Sequence, residues 1–457
     1  MKISTKLTRR RFLQTSVAAG AAVKLAPRLH AESTQELPWP ENGALIPDSG
    51  WRLWIDDKAA WAEDDIFLPE DISFSPEGVR AKGNPLPNNP PTGGWQVLTP
   101  ETGKEVLLPT TVEQHFWGKY GSRPYTPEEY RYAAPATNAT PPADDNIPQN
   151  GAYFGVSWWH RPLEIPAEMK GKRIFLHVRG AHLRAEVYLN RQLVGYSIME
   201  ELPFECDLTH AANPGGPNHL AIRITNPFGR FDWVDGLNAK WGHISLYRSH
   251  GFGGLDRGMT ISAHDDIRIN DAWVLSTAKR NISKAFITLD RRASKAIGNA
   301  TVRFEVVDPA TGVVVGHTIN MQGITDGGSI ESVEQEIGAE HATPWDLDSP
   351  KLYWLRIHLT SEAGDDTRTI PFGFRTFAPT GIGSNAMFRL NNRRIRIYSS
   401  ISWGFWGLNG MFPVPELAER EVTQAKKLGI NCLNFHRNLA KEDVLRNHDR
   451  LGLLRYM

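Results

Sequence analysis

Between residues 153 and 265, apolar and polar positions alternate with a period of two. Ile174, Leu176 and Val178 alternate with Phe175 and His177. Ala185, Val187 and Leu189 alternate with Glu186 and Tyr188, and Leu220, Ile222 and Ile224 with Ala221, Arg223 and Thr225. Such alternation predicts strands with one buried and one wetter face, as in an antiparallel sandwich. Asn190-Arg191-Gln192 reads as a turn between two of them. Residues 267–376 continue in the same style, with Val302, Phe304 and Val306 on one face and Tyr353, Leu355, Ile357 and Leu359 on another. About 110 residues is the size of an immunoglobulin-like sandwich. Trp51 to Ile55 starts an earlier alternating run. The Pro-, Gly-, Asn- and Thr-rich stretches 83–94 and 121–150 read as long surface loops.

After residue 386 the rhythm changes. Arg394 to Ser399 reads as a short strand. Pro415 opens a helix, where its missing N–H costs little, and Leu417, Ala418, Val422, Ala425 and Leu428 share one helical face. Gly429 stands where a left-handed cap belongs. Ile430 to Phe435 reads as a second strand. Val444, Leu445, His448 and Leu451 mark a second helix ended by Gly452, and Leu453 to Tyr456 begin a third strand. Strand, helix, strand, helix, strand is the opening of a parallel α/β unit. A complete eightfold barrel needs roughly 250 residues, whereas 377–457 spans 81. The expectation is the first third of such a barrel.

Charge changes the picture at the N-terminus. Lys+Arg and Asp+Glu both number 51, which gives no electrostatic argument for nucleic acid as a partner. Residues 1–31 nevertheless hold seven Lys/Arg and no Asp or Glu, so the remainder carries 44 against 51, a net charge of −7. Thr8-Arg9-Arg10-Arg11-Phe12-Leu13-Gln14 matches the twin-arginine export pattern. A short apolar stretch from Leu13 to Val23 and a small-residue cleavage site at Leu29-His30-Ala31 follow. The organisation expected is a signal peptide over 1–31, a linker over 32–50, a first sandwich over 51–266, a second over 267–376 and the barrel start over 377–457. The compartment expected is periplasmic or extracellular. No later stretch reaches the ~18 apolar residues of a membrane helix, so no integral membrane segment is expected after signal cleavage. Cys206 and Cys432 fall in different predicted domains and read as unpaired. No metal-ligand spacing, phosphate loop or dinucleotide fingerprint stands out, and the reading calls for no metal or cofactor.

Several local matches occur in order. They are Trp158-Trp159-His160-Arg161 before Ile165-Pro166, Pro203-Phe204-Glu205-Cys206-Asp207-Leu208-Thr209, and Pro344-Trp345 with Ser349-Pro350-Lys351-Leu352-Tyr353. Phe372-Gly373-Phe374-Arg375, Leu390-Asn391-Asn392-Arg393, Asn431 through His436, and Asp449 through Leu454 follow. In this order and spacing the chain over 153–457 resembles glycoside hydrolase family 2, the class of β-galactosidases, β-glucuronidases and β-mannosidases. The resemblance implies a mainly β fold: a jelly-roll-like sugar-binding sandwich, an immunoglobulin-like sandwich, then the first βαβαβ portion of an incomplete TIM barrel. It implies O-glycoside hydrolysis, with β-galactosidase as the default subclass and a glycan or oligosaccharide as partner. A homo-oligomer is compatible with it.

Retaining hydrolysis needs two carboxyl groups about 5 Å apart. The family's two glutamates come from later barrel strands, so no catalytic residue is assigned here. Glu416, Glu419 and Glu421 share one helix and read as a solvated face, and Asp449 reads as structural. His436 ends a barrel strand on the side where barrel active sites form; it suits a hydrogen bond to a sugar hydroxyl, or simple packing. Arg437 suits a carboxylate or neighbouring backbone. Asp235, in Asp232-Trp233-Val234-Asp235-Gly236, resembles a loop aspartate that approaches the sugar, or is simply a turn residue. Trp403 and Trp406 follow the first barrel strand and suit stacking on a sugar or plugging the core. A non-catalytic carbohydrate-binding protein, or the product of a fragmented gene, is the competing reading.

Overall fold

The computed structural model describes residues 43–61, 64, 72–75, 78–81, 84–85, 88–120, 153, 155–199, 202–226, 239–241, 244–246, 252–292, 299–323, 330–402, 415–435 and 441–456. The first sandwich has a six-stranded antiparallel sheet. In spatial order its strands are Gln192–Ser197, Arg184–Leu189, His219–Asn226, Gly155–Pro162, Trp51–Asp56 and Lys104–Val106. Facing it is a four-stranded sheet of Gly43–Leu45, Thr260–His264, Arg173–Val178 and Phe204–Asp207. The alternating apolar positions meet between them. Leu53, Trp159, Leu176, Val187, Ile222 and Ile261 belong to one buried cluster, and each such side chain contributes roughly 1.5–3 kcal/mol on burial.

The expected wetter face of the six-stranded sheet is not wet. Every residue of Arg184–Leu189 is buried, and so are Ala221, Arg223 and Thr225. Residues 88–94, expected as part of a surface loop, and Trp95 to Leu98 after them lie against this face. Trp95 meets Trp158 edge-on at 5.6 Å and Tyr188 at 5.0 Å. Asn89 donates to the Tyr188 hydroxyl and to Glu186 Oε1, at 3.1 and 2.8 Å. A second aromatic layer therefore covers the sheet.

The second sandwich pairs Ile267–Ser276, Ile282–Arg291 and Ile330–Gly338 in one sheet. Val314–Gly323, Asn299–Val307, Tyr353–Ser361 and Gly364–Phe372 form the other. Val302, Phe304, Val306, Leu355, Ile357 and Leu359 are buried between them, as the alternation predicts. The two sandwiches meet through Arg268. Its guanidinium makes a forked pair with Glu205 at 2.9 and 2.6 Å, donates to Asp290 at 2.9 Å, and lies 3.7 Å from the Phe175 ring centroid.

A three-stranded hairpin sheet, Phe377–Thr380, Met387–Leu390 and Arg393–Ile395, leads to the barrel portion. Asn391 and Asn392 turn it, both at positive φ. Arg393–Ile395 pairs back into this hairpin, so the first barrel strand is Ser399–Ser402, later than the pattern suggested. Cys432–Phe435 pairs parallel with it, and Leu454–Tyr456 pairs parallel with Cys432–Phe435. Helix Pro415–Lys427 buries Ala418, Val422 and Ala425. Leu428 lies just past its end and is 78% exposed, contrary to the periodic reading. Helix Glu442–Leu451 ends at Gly452 in the left-handed conformation. The fold class is therefore as expected: mainly β, with a βαβαβ barrel portion at its end. Cys206 and Cys432 are both buried and unpaired.

Candidate functional site

The C-terminal ends of barrel strands are where this architecture places chemistry. Ser402 and Phe435, the last described residues of the first two strands, are paired neighbours. The residues that follow them in sequence include Trp403, Trp406, His436 and Arg437, all outside the described residues, and Asp235 lies outside them too. What the structure describes at this edge is therefore the support beneath those positions.

Ser402 Oγ donates to Glu421 Oε1 at 2.6 Å. Burial pushes the Glu421 carboxyl above its usual range, and the Ser402 bond pulls against that. The bond ties the end of the first strand to the first barrel helix. It also corrects the reading of Glu416, Glu419 and Glu421 as one solvated face. Glu416 is exposed and Glu419 pairs with Arg450 at 3.2 Å, but Glu421 turns toward the strand. Phe435 meets the ring of His448, fully buried, with centroids 5.4 Å apart. Burial pushes the His448 imidazole down to about 4, so it is neutral near pH 7. Asp449 plays the structural part expected of it: its carboxylate accepts from Arg455 at 3.0 Å, and its backbone oxygen from Trp345 Nε1 at 2.7 Å.

The second barrel helix is moored to the first sandwich by charge. Arg179 pairs with Glu442 at 3.2 Å and Asp443 at 3.0 Å, and Arg257 pairs with Asp443 at 2.5 Å. Burial alone would raise the Asp443 carboxyl, but the two guanidinium groups outweigh it and hold it below its usual range. Two acidic residues in the first turn also complement the helix dipole. Sequence reasoning missed this mooring. The one signal was Glu442-Asp443 at a helix start, and nothing in the sequence points to Arg179 and Arg257 as partners.

A second charged cluster lies beneath the aromatic layer of the first sandwich. Asp64 accepts from Arg184 at 2.7 Å and from Arg223 at 3.0 Å, and Arg223 also reaches Glu186. Burial opposes the charge on Arg184, yet Glu186, Tyr196 and Asp64 keep it firmly protonated. Removing either partner of such a buried pair would leave the other charge stranded in a low dielectric.

No family model matches the chain. In sequence the chain is 24% identical to the β-galactosidase BoGH2A of Bacteroides ovatus, over 66% of this chain and 34% of that protein. It is 26% identical to a β-galactosidase of Thermoanaerobacter pseudethanolicus, over 66% of this chain and 39% of the relative. In structure, a glycosyl hydrolase family 2 member from Bacteroides cellulosilyticus superposes with a TM-score of 0.62 at 18% identity, covering 91% of this chain and 47% of the other. The fold is that of glycoside hydrolase family 2. A β-glucuronidase of Bacteroides uniformis superposes with a TM-score of 0.59 at 16% identity, covering 90% of this chain and 41% of the other. The resemblance read from the ordered motifs therefore holds in both sequence and fold. The chain spans between a third and two fifths of the length of these two curated relatives.

Proposed function

We propose that this chain serves an exported glycoside hydrolase of the β-galactosidase type, acting on the glycosidic bonds of a carbohydrate outside the cytoplasm. The observation that carries the reading is the succession of two sandwiches and a βαβαβ barrel opening, superposing over 91% of the chain on a family 2 glycosidase. The β-galactosidase relatives favour that subclass. The twin-arginine pattern at Arg9-Arg10-Arg11 favours export.

In this reading residues 377–457 supply the first three strands of the barrel. His436 and Arg437 offer hydrogen-bond donors to sugar hydroxyls at the end of the second strand. Trp403 and Trp406 offer ring faces after the first, and Asp235 is the carboxylate that the sequence of the first sandwich offers for a sugar hydroxyl. The acid and the nucleophile of retaining hydrolysis belong to later strands of the barrel. The described carboxyl at the strand ends, Glu421, is engaged by Ser402 and serves as support.

Sequencing the DNA directly after codon 457 tests the proposal. The expected result is an open frame encoding a strand that ends Asn-Glu, then a second glutamate on a later strand. The product of that frame is expected to cleave an aryl β-galactoside, and to lose the activity when either glutamate becomes glutamine. A confirmed stop, together with no turnover of aryl β-galactoside, β-glucuronide or β-mannoside by the full chain, would replace it with non-catalytic carbohydrate binding.

A further inference from the structure

Among the described residues the second sandwich has four edge strands, and three of them carry the charges that keep a sheet edge from pairing with another chain. Ile267–Ser276 holds Arg268 and Asp271, and Ile330–Gly338 holds Glu334 and Glu336. Gly364–Phe372 holds Asp365, Asp366, Arg368 and Pro371. The fourth, Val314–Gly323, holds no Asp, Glu, Lys, Arg or Pro. Its one paired neighbour among the described residues is Asn299–Val307, so its other side is a sheet edge.

The local geometry leaves this edge straight and neutral. A bulge between Val314 and Gly316 lies at the turn end, and beyond it Gly316–Gly323 runs in unbroken register with Asn299–Val306. Gly316 lies against the facing sheet, where a Cβ would stand 2.0 Å from Gly338 O. Side chains alternate along a strand, so His317 and Ile319 point away from that sheet. Both are exposed, Ile319 by 58%. The nearest charges on the neighbouring strand, Arg303 and Glu305, pair with each other at 3.4 Å. The sandwich meets the barrel portion elsewhere, through Trp345 and Leu347, and the first sandwich through Arg268 and Asp290. The neutrality of the edge belongs to the strand's own residues, whatever later strands the barrel holds.

We propose that Val314–Gly323 is a dimer interface. Two copies of this chain pair along it, antiparallel, about a two-fold axis at or beside Ile319, and two four-stranded sheets become one. A two-fold axis sets each residue opposite one at equal distance from the axis, so a charged strand paired with itself brings like charges together. The edge Ile330–Gly338 would bring glutamates together in this way. Val314–Gly323 opposes only uncharged residues, among them the β-branched Thr318 and Ile319, which suit an extended backbone. A partner strand of either charge would find no counter-charge here, whereas a second copy is as neutral as the edge it meets. Main-chain hydrogen bonds across the new pair supply the affinity.

Sedimentation velocity of the full chain, from about 1 to about 100 µM, tests the proposal, with conversion from monomer to dimer expected over that range. Ile319→Lys and Ile319→Glu are each expected to weaken dimerisation at least about tenfold, by setting like charges across the axis. An equimolar mixture of the two variants is expected to dimerise again, which a folding defect in either could not do. Ile319→Val is expected to dimerise like the parent. The Ile319 side chain is exposed, and circular dichroism checks that the variants fold. Exchange of the backbone amides in 314–323 is expected to slow as the chain is concentrated. Three results would overturn the proposal. A chain monomeric over the whole range would leave the edge to a different partner. Dimers that persist in Ile319→Lys would place self-association at another surface. A mixture of the two charged variants that stays monomeric would remove the self-paired geometry. Assembly is read without hydrolysis, so these outcomes leave the glycosidase reading untouched.

Discussion

Glu113 lies in the short helix Val112–Phe116 of the first sandwich and is 5% exposed. Its Oε1 accepts the Tyr153 N–H at 3.0 Å, and its Oε2 has no hydrogen-bond partner among the described residues. Burial pushes the carboxyl up to about 8, against the pull of that backbone bond. A carboxyl raised in the folded state favours folding relative to its ionised form only while it stays protonated. That advantage is complete below the ordinary value of 4.5 and is lost as pH rises toward 8. Glu113→Gln keeps the acceptor for Tyr153 and cannot ionise. It is expected to match the parent at pH 4.5 and to exceed it at pH 8 by ~2–4 kcal/mol, read by denaturant unfolding at both pH values. Equal stability at pH 8 would place the carboxyl's titration elsewhere. At this scale the sequence was least informative. Arg223 and Glu186 looked like wet positions in alternating strands, and only the aromatic layer above them made them a buried ion cluster. Glu421 looked like its neighbours Glu416 and Glu419, and only the position of Ser402 distinguished it.

Elements were more legible than single side chains, because their signals are local. Asn190 and Arg191 both take positive φ between the strands Arg184–Leu189 and Gln192–Ser197, as expected of a tight hairpin turn. Gly429 and Gly452, anticipated as helix ends, stand at φ of 78° and 76°. Gly452 has a second constraint that no local pattern contains: a Cβ there would stand 2.3 Å from Leu347 O. Gly452→Ala is therefore expected to cost about 2 kcal/mol or more, from left-handed strain and from displacing the 347 turn. Thermal unfolding of the variant beside Gly429→Ala separates the two causes, because a Cβ at Gly429 meets nothing within 4 Å. A loss no larger at Gly452 than at Gly429 would remove the close approach from the account. The first barrel strand was misplaced by several residues. Arg393–Ile395 satisfies its backbone in the hairpin instead, and apolar spacing does not reveal a partner's identity.

Across the whole molecule, the barrel portion is held to the sandwiches by a few long-range contacts. Arg179 and Arg257 grip Asp443, Trp345 reaches Asp449, and Lys426 reaches the 347 turn. Removing one partner of a buried ion pair costs several kcal/mol, because the other is left in a low dielectric. Arg179→Ala is expected to loosen the barrel portion while the two sandwich cores stay intact. Limited proteolysis should then cut within 377–457 about tenfold faster than in the parent and leave a resistant fragment covering the sandwiches. An unchanged cleavage pattern would show that the mooring is redundant.

The sequence by itself determined the periodicity of two that builds the sandwiches, the helix–strand rhythm after residue 386, the glycine caps and the order of family motifs. These depend on residues close together in the chain, so spacing alone carries them. Only the tertiary structure decided which face of the six-stranded sheet is covered, which glutamate is engaged and which arginines hold the barrel helix. Arg179 and Asp443 are more than two hundred and sixty positions apart in the chain yet 3.0 Å apart in space. Burial and pairing belong to what the folded chain brings together, and no local pattern records that.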